Sequence, residues 1–403
     1  WRESLQLREG VTLRGADRDR CRIVPPAGAT AGVSAKGLAA GRIENLTLDG
    51  EGVVTQDMLS GFPRRFGHFP DGVLLEDASI TLADCTITRW HGDSVAATGA
   101  KSATTVERCL IRNGDGFGIA FASETRCLAA DNTVEEHKYD GIELAGNSSA
   151  RGNVLRRNGT GISMAPSFAG VVENNTAEDN ESSGFRVGGA AASAVVRNNT
   201  ARRNGSDGFL ALAGACPVIE GNTAEDNGDC GFSVQGTERA DPQTAPVLRA
   251  NFSRRNKTHG VYVCSGAAGT IEGNVCESNG SAGIFVTDAG SAPALVGNTC
   301  RDNAKQGIAF TEGAAGTARG NTCGGSGGAG ILVADRGTRP MLQGNMCVAG
   351  RTAGILFQNG AGGEARENDC EGNTLSGFLI TGAGTAPTLR GNRVRRNQTS
   401  GIV

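Results

Sequence analysis

The feature that most constrains the fold of this 403-residue chain is an internal repeat of about 23 residues. Its consensus is (G/N)-N-x-x-x-x-N-x-x-x-G-(F/I/V)-x-(V/L), and weaker copies begin at Asn45, Asp84 and Arg108. The strong copies place their first asparagine at Asn132, Asn153, Asn175, Asn199, Asn222, Asn251, Asn274, Asn298, Asn321, Asn345, Asn368 and Asn392. A repeat of this length indicates a solenoid, in which each repeat covers the apolar face of its neighbours.

Each repeat contains the signal of one short strand. A glycine lies nine residues after the first asparagine, as at Gly283, and apolar residues follow, as at Ile284 and Val286. This alternation predicts a strand with every second side chain inward, opened by a turn that needs glycine. Helical repeats are disfavoured because glycine inside a helix costs about 1 kcal/mol. The L-x-x-L-x-L pattern of leucine-rich repeats is absent.

The pattern therefore predicts an all-β fold, a right-handed parallel β-helix of about 15 coils that spans 1–403 as a single domain. Two long steps between repeats predict surface insertions at 51–70 and 237–246. The composition agrees with this fold, because 62 glycines and only 4% aromatic residues suit a thin core built coil by coil.

Charge and apolar patterning argue against several kinds of partner. A net charge of −3 offers no basic surplus for nucleic acid, and no run of ~18 apolar residues predicts a membrane span. The 12 cysteines include no C-x-x-C pair, so no metal site is expected. No cofactor is expected either, except calcium if the chain is a lyase.

Two repeating columns of uncharged residues are interpreted as structural. Stacked asparagines can bond the backbone and side chain of the next coil, and this column includes Asn222, Asn274, Asn298 and Asn321. In a second column, earlier coils have small inward residues, and later coils have cysteines whose thiols we expect to be buried. These cysteines are Cys276, Cys300, Cys323, Cys347 and Cys370. Unbridged thiols slightly favour a cytoplasmic location, and a secreted or periplasmic one stays open.

A third column consists of like-charged pairs whose sign alternates from coil to coil. These pairs are Glu135-Glu136, Arg156-Arg157, Glu178-Asp179, Arg202-Arg203, Glu225-Asp226 and Arg254-Arg255. Stacking places opposite charges one strand spacing apart, which predicts a ladder of ion pairs between coils. Each exposed pair contributes about 0–1 kcal/mol, and the arginines are thereby partnered rather than free for a polyanion.

One group of residues in the early coils could carry chemistry. Counting seven residues from each repeat start predicts a column of His91, Asp115 and Tyr139, with neighbours about 5 Å apart. Lyases and epimerases that act on uronic-acid polymers need a base, an acid and a cation for the carboxylate. His91 is the candidate base, Tyr139 the candidate acid, and Lys138 or Arg65 the candidate carboxylate clamp. The candidate binding residues around them are Arg64, Arg65, His68, Trp90, Asp93, His137 and Asp140.

The same residues also have a structural interpretation, as ordinary turn residues on irregular coils. Regular repeats and balanced charge favour a non-catalytic recognition scaffold that binds a protein or glycan partner along one face. A polysaccharide lyase, hydrolase or uronate epimerase is the alternative, and a purely structural fibre is the third possibility. Scarce aromatic residues weigh against sugar binding, because sugar rings stack on aromatic faces.

The coils from about Ile43 to the end resemble the parallel β-helix repeats known as CASH or NosD-like repeats. The C-terminal coils are most similar to the β-helical F-box substrate receptors, as carried by GILVADRGTRPMLQGNMCVAGRTAGILFQNGAGGEARENDCEGNTLSGFLITGAGTAPTLRGNRVRRN. Prolines precede the turn in alternate coils there, at Pro293, Pro340 and Pro387. The opening segment, with Glu3-Ser4-Leu5 and Val11-Thr12-Leu13-Arg14-Gly15-Ala16, resembles the first coils of pectate-lyase-like helices.

The resemblance implies the fold firmly and the activity weakly, because one fold hosts many functions. F-box relatives recognise protein substrates, NosD-like relatives serve copper delivery, and others are lyases, hydrolases or epimerases. An F-box segment, the calcium-binding acidic clusters of pectate lyases and a copper-handling Met/His/Cys pattern are all absent from the sequence. Because the chain stops inside a coil at Gly401-Ile402-Val403, we expect it to be fused to or assembled with further domains.

Overall fold

The computed structural model describes residues 1–51, 69–189, 194–237 and 243–403. Within these ranges the chain forms 49 short strands and no helix. It is an all-β, right-handed parallel β-solenoid of about 16 turns with a period of about 24 residues. The fold class predicted from the repeat is confirmed.

The chain divides into two compact units. Unit 1 comprises Trp1–Arg186 and Ser193–Val195, and unit 2 comprises Val187–Ala192 and Val196–Val403. Strands are numbered in chain order, and the division falls within β22 (Phe185–Gly188) and β23 (Val195–Arg197). In each unit a coil contributes one strand to each of three parallel sheets.

The strands of unit 1 are two to six residues long. Its first sheet contains β1 (Leu5–Gln6), β4 (Ala31–Lys36), β7 (Asp71–Glu76), β10 (Val95–Thr98), β13 (Ile119–Phe121), β16 (Ile142–Leu144) and β19 (Ile162–Met164). Its second sheet contains β2 (Thr12–Arg14), β5 (Gly41–Glu44), β8 (Ile80–Ala83), β11 (Thr105–Glu107), β14 (Leu128–Ala130), β17 (Ser149–Arg151) and β20 (Val171–Glu173). Its third sheet contains β3 (Arg22–Ile23), β6 (Thr47–Asp49), β9 (Thr86–Thr88), β12 (Leu110–Gly114), β15 (Thr133–His137), β18 (Val154–Arg156) and β21 (Thr176–Glu178).

The strands of unit 2 follow the same order. Its first sheet contains β25 (Phe209–Leu212), β28 (Phe232–Gln235), β31 (Val261–Cys264), β34 (Ile284–Val286), β37 (Ile308–Phe310), β40 (Ile331–Ala334), β43 (Ile355–Gln358), β46 (Ser376–Thr381) and β49 (Ser400–Ile402). Its second sheet contains β26 (Val218–Glu220), β29 (Val247–Arg249), β32 (Thr270–Glu272), β35 (Ala294–Val296), β38 (Thr317–Arg319), β41 (Met341–Gln343), β44 (Glu364–Arg366) and β47 (Thr388–Arg390). Its third sheet contains β24 (Thr200–Arg202), β27 (Thr223–Glu225), β30 (Phe252–Arg254), β33 (Val275–Glu277), β36 (Thr299–Arg301), β39 (Thr322–Gly324), β42 (Met346–Val348), β45 (Asp369–Glu371) and β48 (Arg393–Arg395).

The predicted asparagine ladder is present and buried. Asn298 donates from Nδ2 to Asn321 Oδ1 at 2.9 Å and to the Ile271 carbonyl at 2.8 Å. Its own Oδ1 accepts the backbone N–H of Asn274 at 2.9 Å and that residue's Nδ2 at 3.0 Å. Asn222 bonds Asn251 in the same way. Each amide thus satisfies polar groups of the coils on both sides, which pins their register.

The residue before each ladder asparagine adopts the left-handed conformation, which explains the (G/N) of the consensus. Gly273 and Gly320 have φ of 61° and 62°, and Asp131 has φ of 55°. Glycine, asparagine and aspartate tolerate this region best. The weak repeat starts Asn45, Asp84 and Arg108 have φ of 56°, 54° and 52°, so they occupy this corner position.

In the early coils, the residue that stacks on a ladder asparagine is therefore one position later in the chain than the sequence pattern suggested. Asn132 stacks on Cys109, whose backbone N–H donates to Asn132 Oδ1 at 2.9 Å. Arg108 instead pairs with the corner residue of the preceding coil, Asp84, at 2.9 Å. A one-residue change of register alters which side chains meet across coils.

The glycine that opens each strand of the first sheet is required by close packing rather than by positive φ. A Cβ on Gly307 would lie 2.6 Å from the Gly330 carbonyl oxygen and 2.7 Å from Cys323 Cβ. The expected turn conformation is wrong, because these glycines are outside the left-handed region. The cysteine column is the opposite wall of this contact, which explains its restriction to small residues.

The cysteine column is continuous and fully buried. Register pairs Cys276 with Cys300, Cys300 with Cys323, Cys323 with Cys347, and Cys347 with Cys370, and each has an exposed fraction of 0%. All 12 cysteines of the chain carry free thiols.

The ion-pair ladder also connects adjacent coils. Arg156 and Arg157 bond Glu135 at 2.6 and 2.9 Å, and Arg157 also bonds Glu136 at 2.9 Å. In unit 2, equivalent contacts of 2.6 and 2.8 Å join Arg254 to Glu225 and Arg255 to Asp226. These arginines are therefore committed to neighbouring coils, as the charge alternation predicted.

Both predicted insertions fall between strands. The first, 51–70, lies between β6 and β7, and most of it, with Arg64, Arg65 and His68, is outside the described residues. The second, 237–246, lies between β28 and β29, and residues 238–242 of it are outside the described ranges.

Replacement of Gly307 by alanine is expected to destabilise the protein by about 1–3 kcal/mol. The added methyl group would force the Gly330 backbone and the fully buried Cys323 side chain to shift. Gly188→Ala is the matched control, because a Cβ there meets nothing within 4 Å and φ is not positive. Urea unfolding of both variants measures the difference. Equal midpoints would contradict the close-packing explanation.

Replacement of Asn298 by alanine is expected to cost about 2–4 kcal/mol, since it leaves buried groups of Asn274 and Ile271 without this partner. The control Asn147→Ala removes an exposed amide and should change stability by less than about 0.5 kcal/mol. Thermal or urea unfolding compares the two, and a small effect at Asn298 would show that the ladder is dispensable.

Candidate functional site

Three side chains of unit 1 form a bonded chain where the third sheet leads into the first. Register pairs Thr88 with Arg112, and it pairs Gly114 with His137. His91 therefore lies above Asp115, and Asp115 lies above Lys138. His91 Nδ1 is 2.5 Å from Asp115 Oδ2, and Lys138 Nζ contacts the other oxygen, Oδ1.

The prediction that Tyr139 is the third member of this column was wrong. Asn132 stacks on Cys109 rather than on Arg108, so the residue below Asp115 is Lys138 and not Tyr139. Tyr139 lies beside this row of bonded side chains and is 41% exposed. Its ring centroid is 5.6 Å from that of Phe117.

The contact with Asp115 orients the imidazole. Nδ1 of His91 faces Asp115, so Nε2 points away from this carboxylate. Burial raises the pKa of Asp115, but the Lys138 ammonium and His91 outweigh burial and lower it overall. All three side chains are at least about one-third exposed, so they can meet a ligand from solvent. Lys138 is committed to Asp115, which argues against its predicted role as a carboxylate clamp.

A row of aspartates borders the start of the first sheet. Asp71 Oδ1 accepts the backbone N–H of Asp93 at 2.8 Å, and Asp93 Oδ1 accepts that of Phe117 at 3.0 Å. Burial and then the charge of Asp93 raise the pKa of Asp71 to about 7, and burial raises the pKa of Asp93 to about 6. Burial also raises the pKa of Asp140, against the opposing influence of Thr160 and other neighbours. Asp93 and Asp140 are both among the predicted binding residues.

Glu143 is a candidate that sequence reasoning missed. It lies in β16 and pairs in register with Ala120 on one side and Ser163 on the other. Burial, followed by repulsion from Asp140 and Asp93, raises the pKa of its carboxyl to about 7. The available signal was a lone acidic residue at a strand position that neighbouring coils fill with small residues.

Two predicted binding residues are corrected because they face the core. Trp90 is 1% exposed and packs where a Cβ on Gly50 would lie 2.9 Å from its ring. His137 is 3% exposed, its Nε2 lies 3.1 Å from Ser94 Oγ, and burial lowers its pKa to about 4. Its backbone N–H donates to Asn158 Oδ1, so His137 stands at the head of a ladder. Neither side chain can contact a ligand from solvent.

A second group of titratable residues lies in unit 2. The potential ligand atoms of Asp207, Asp229 and Cys230 lie within 4.8 Å of one another, although no metal site was expected from the sequence. Their contacts are internal, since Asp207 Oδ1 accepts the Cys230 N–H at 3.1 Å. Nearby His259 stacks on Phe285 at 4.5 Å, and burial lowers its pKa to about 4.

The raised pKa of Glu143 predicts a pH-dependent loss of stability. A carboxyl whose folded pKa exceeds its unfolded value of 4.5 destabilises the fold progressively as pH rises from 4.5 to about 7. Relative to Glu143→Gln, the natural protein should lose about 1–2 kcal/mol over this window, after allowance for partial exposure. Urea unfolding at stepped pH measures it, with Glu124→Gln as the exposed control. Parallel curves for the natural protein and Glu143→Gln would contradict the assignment.

No helix in the described part of the chain is long and apolar enough to cross a membrane.

Comparison with solved structures gives similarity at the level of fold alone. The A-module of mannuronan C-5 epimerase AlgE4 from Azotobacter vinelandii is 15% identical with a TM-score of 0.43, covering 81% of this chain and 88% of that chain. The catalytic unit of a GH87 alpha-1,3-glucanase from Streptomyces thermodiastaticus is 14% identical with a TM-score of 0.32, covering 97% and 64%.

The periplasmic alginate epimerase AlgG is 11% identical with a TM-score of 0.35, covering 95% of this chain and 77% of that chain. The curated proteins give no match. The profile of the right-handed beta helix region matches residues 66–201, 151–300 and 290–403, which together span most of the sequence. The chain therefore belongs to the right-handed beta helix family.

Proposed function

We propose that unit 1 hydrolyses glycosidic bonds of a polysaccharide bound along the outer face of its first sheet. The observation that carries this proposal is Glu143, a half-buried carboxyl whose pKa is raised to about 7 beside Asp93 and Asp140. Glycoside hydrolysis uses two carboxyl groups, one held protonated and the other ionised, and environment assigns the two roles.

The different environments of the carboxyls divide the chemical roles. Glu143, with a pKa of about 7, retains a proton near neutral pH and can donate it to the leaving oxygen. Asp93, with a pKa of about 6, is mostly ionised there and can activate water or stabilise the developing positive charge. This reaction requires no cofactor.

The bonded chain of His91, Asp115 and Lys138 has a supporting role in this proposal. His91 Nε2 hydrogen-bonds a sugar hydroxyl or the attacking water. Asp115 holds the ring orientation and Lys138 holds Asp115, as their direct contacts allow. Tyr139 and Phe117 supply a partly exposed aromatic surface against which a sugar ring can pack.

Hydrolysis is favoured over the lyase and epimerase alternatives by the distribution of charge. Abstraction of the C5 proton of a uronate needs a cation that neutralises the substrate carboxylate. Lys138, one candidate clamp, is bonded to Asp115. The carboxyl groups of Asp93, Asp140 and Glu143 gather at the proposed site, where Arg186 acts electrostatically on Asp140.

A recognition scaffold is the second candidate function, and one observation in unit 2 favours it. In the first sheet of unit 2, the buried residues Ala309, Leu332 and Ala334 form an apolar cluster against which the partly buried Phe285 and Leu356 pack. The exposed parts of Phe285 and Leu356 offer an apolar contact for a protein partner. The sequence resemblance of the C-terminal coils to the β-helical F-box substrate receptors also favours a protein partner in this second proposal.

The test is release of reducing ends from a panel of neutral, acidic and amino polysaccharides. Glu143→Gln and Asp93→Asn should each lower kcat by roughly 10²–10⁴-fold, since each removes a proton-transfer group. Glu124→Gln, an exposed carboxyl of the same unit, should retain full activity. Binding without turnover by the natural protein would favour the scaffold, and unchanged activity in both variants would exclude this site.

A further inference from the structure

We infer that unit 2 carries a docking surface for a protein segment that combines acidic and apolar side chains. The surface consists of Arg319, Met341, Met346 and Arg366 and is called the arginine–methionine patch. It lies where the second sheet turns into the third, since Met341 begins β41 and Met346 begins β42. The inference does not depend on the hydrolysis proposed for unit 1.

The outer column that contains the two arginines of the patch loses its charge balance in the C-terminal coils. The earlier coils of unit 2 alternate in sign along this column: Glu220, Arg249 and Glu272. The later coils follow in register without any carboxylate: Val296, Arg319, Gln343, Arg366 and Arg390. Arg249 is bonded to Glu220, whereas Arg366 stacks on another arginine. Like charges directly opposite one another destabilise a sheet.

Neither arginine of the patch has a carboxylate partner. Among the described residues, no carboxylate forms an ion pair with Arg319 or Arg366. Arg366 instead donates from Nη2 to Gln343 Oε1 at 3.0 Å and contacts Met341 Sδ at 3.6 Å. Its Nε is shielded from solvent and bonds no residue that the structure describes. Buried donors without a partner are rare in folded proteins, and this one is explained by a group that docking supplies.

Three carboxylates close to the patch in sequence leave its arginines available. Glu367 accepts a hydrogen bond from Gln343 Nε2 at 3.1 Å. Asp369 Oδ2 accepts one from Arg395 at 2.7 Å. Glu364 lies in β44 and forms no ion pair in the part of the chain that the structure describes. None of the three is bonded to an arginine of the patch, so the guanidinium donors stay free for a partner.

Two methionines give the patch an apolar part. Met341 is 37% exposed and Met346 is 46% exposed. In the preceding coil, Thr317 and Thr322 occupy the same register positions, so these positions of the sheet do not require an apolar side chain. Methionine and arginine are enriched in protein interfaces, and the flexible thioether adapts to varied apolar partners.

The combination of side chains distinguishes between classes of partner. A polysaccharide or nucleic acid supplies anions but would leave Met341 and Met346 largely uncovered. An uncharged apolar segment would cover the methionines and leave Arg319 and Arg366 without partners. A protein segment with a carboxylate beside a large apolar side chain satisfies both parts, and a carboxylate matches the fork of a guanidinium. We therefore assign the patch to an acidic, partly apolar protein segment.

The experiment selects binders to the immobilised full chain from a random dodecapeptide display library. The selected sequences should combine aspartate or glutamate with leucine, isoleucine or phenylalanine. Fluorescence anisotropy of the tightest labelled peptide then measures its Kd. Binding should weaken as salt is raised, because exposed charges are screened.

Variants that copy the preceding coil test the residues. Arg366→Gln installs the residue found at Gln343 and should raise the Kd at least about tenfold, since it removes a charged hydrogen-bond donor. Met341→Thr/Met346→Thr should raise the Kd about fivefold, because apolar contact is lost. The control Arg351→Gln/Leu375→Thr removes an exposed arginine and an exposed leucine between the third and first sheets. It should change the Kd by less than about twofold.

Urea unfolding separates recognition from a structural role of Arg366. Arg366→Gln relieves the like-charge contact with Arg390, so its unfolding midpoint should stay the same or rise. A lower midpoint would show that Arg366 holds the coils together and would overturn the inference.

The binding measurements have further outcomes that decide against the patch. Selected peptides without acidic residues, or with a Kd that Arg366→Gln leaves unchanged, overturn the inference. Absence of any peptide with a Kd below about 1 mM does the same. Polygalacturonate or a short DNA duplex that binds more tightly than every selected peptide, with no effect of the methionine substitutions, would assign the arginines to a polyanion. None of these outcomes depends on glycan hydrolysis, so the proposed function stands or fails separately.

Discussion

The structure depends on the register in which one coil hydrogen-bonds to the next. Parallel strands alone leave the register of a short three-residue strand weakly specified. The asparagine ladders remove this ambiguity, because each side-chain amide bonds the coil before and the coil after it, as at Asn298. A coil displaced by one residue would leave these buried amides unsatisfied, at a cost of about 1–3 kcal/mol for each group. The left-handed corner before each ladder residue gives the backbone the turn that brings the amide into the column.

The same register determines what the core can contain. Glycines at the start of the first-sheet strands approach the opposite wall closely, and the residue that faces them is alanine, serine or cysteine in the coils from Ala177 to Cys370. The core is accordingly thin, and its large residues come mainly from the first-sheet strands, as at Phe232, Phe310 and Phe357. In the early coils, Trp90 is also buried and packs against Gly50 and Gly72. The cysteine column therefore has a packing explanation that requires no thiol chemistry.

Sequence reasoning succeeded where the repeat is regular and failed by one residue where it is not. The period predicted the fold, the asparagine ladder and the ion pairs, because all three depend only on residues one period apart. In the early coils, Asp84 and Arg108 look like ladder residues by spacing but occupy the left-handed corner. That shift placed Tyr139 where Lys138 lies, and residue type alone suggested ligand contacts for the buried Trp90 and His137. Glu143 could not be identified in advance, because its significance comes from its burial beside Asp93 and Asp140.

The aspartates of unit 1 use the bonding principle of the ladder with a different chemical group. Asp71 and Asp93 each accept a backbone N–H of the next coil, as a ladder asparagine does. Asparagine would make the same bond without an ionisation penalty, whereas a pKa raised from 3.8 to about 7 makes ionised Asp71 unfavourable by about 4 kcal/mol. A residue selected for stability alone would therefore be the amide. Titratable groups kept at such a cost cluster at functional sites, and here they adjoin the bonded chain of His91, Asp115 and Lys138. The physical case for chemistry in unit 1 thus rests on acids that occupy positions where amides would be more stable.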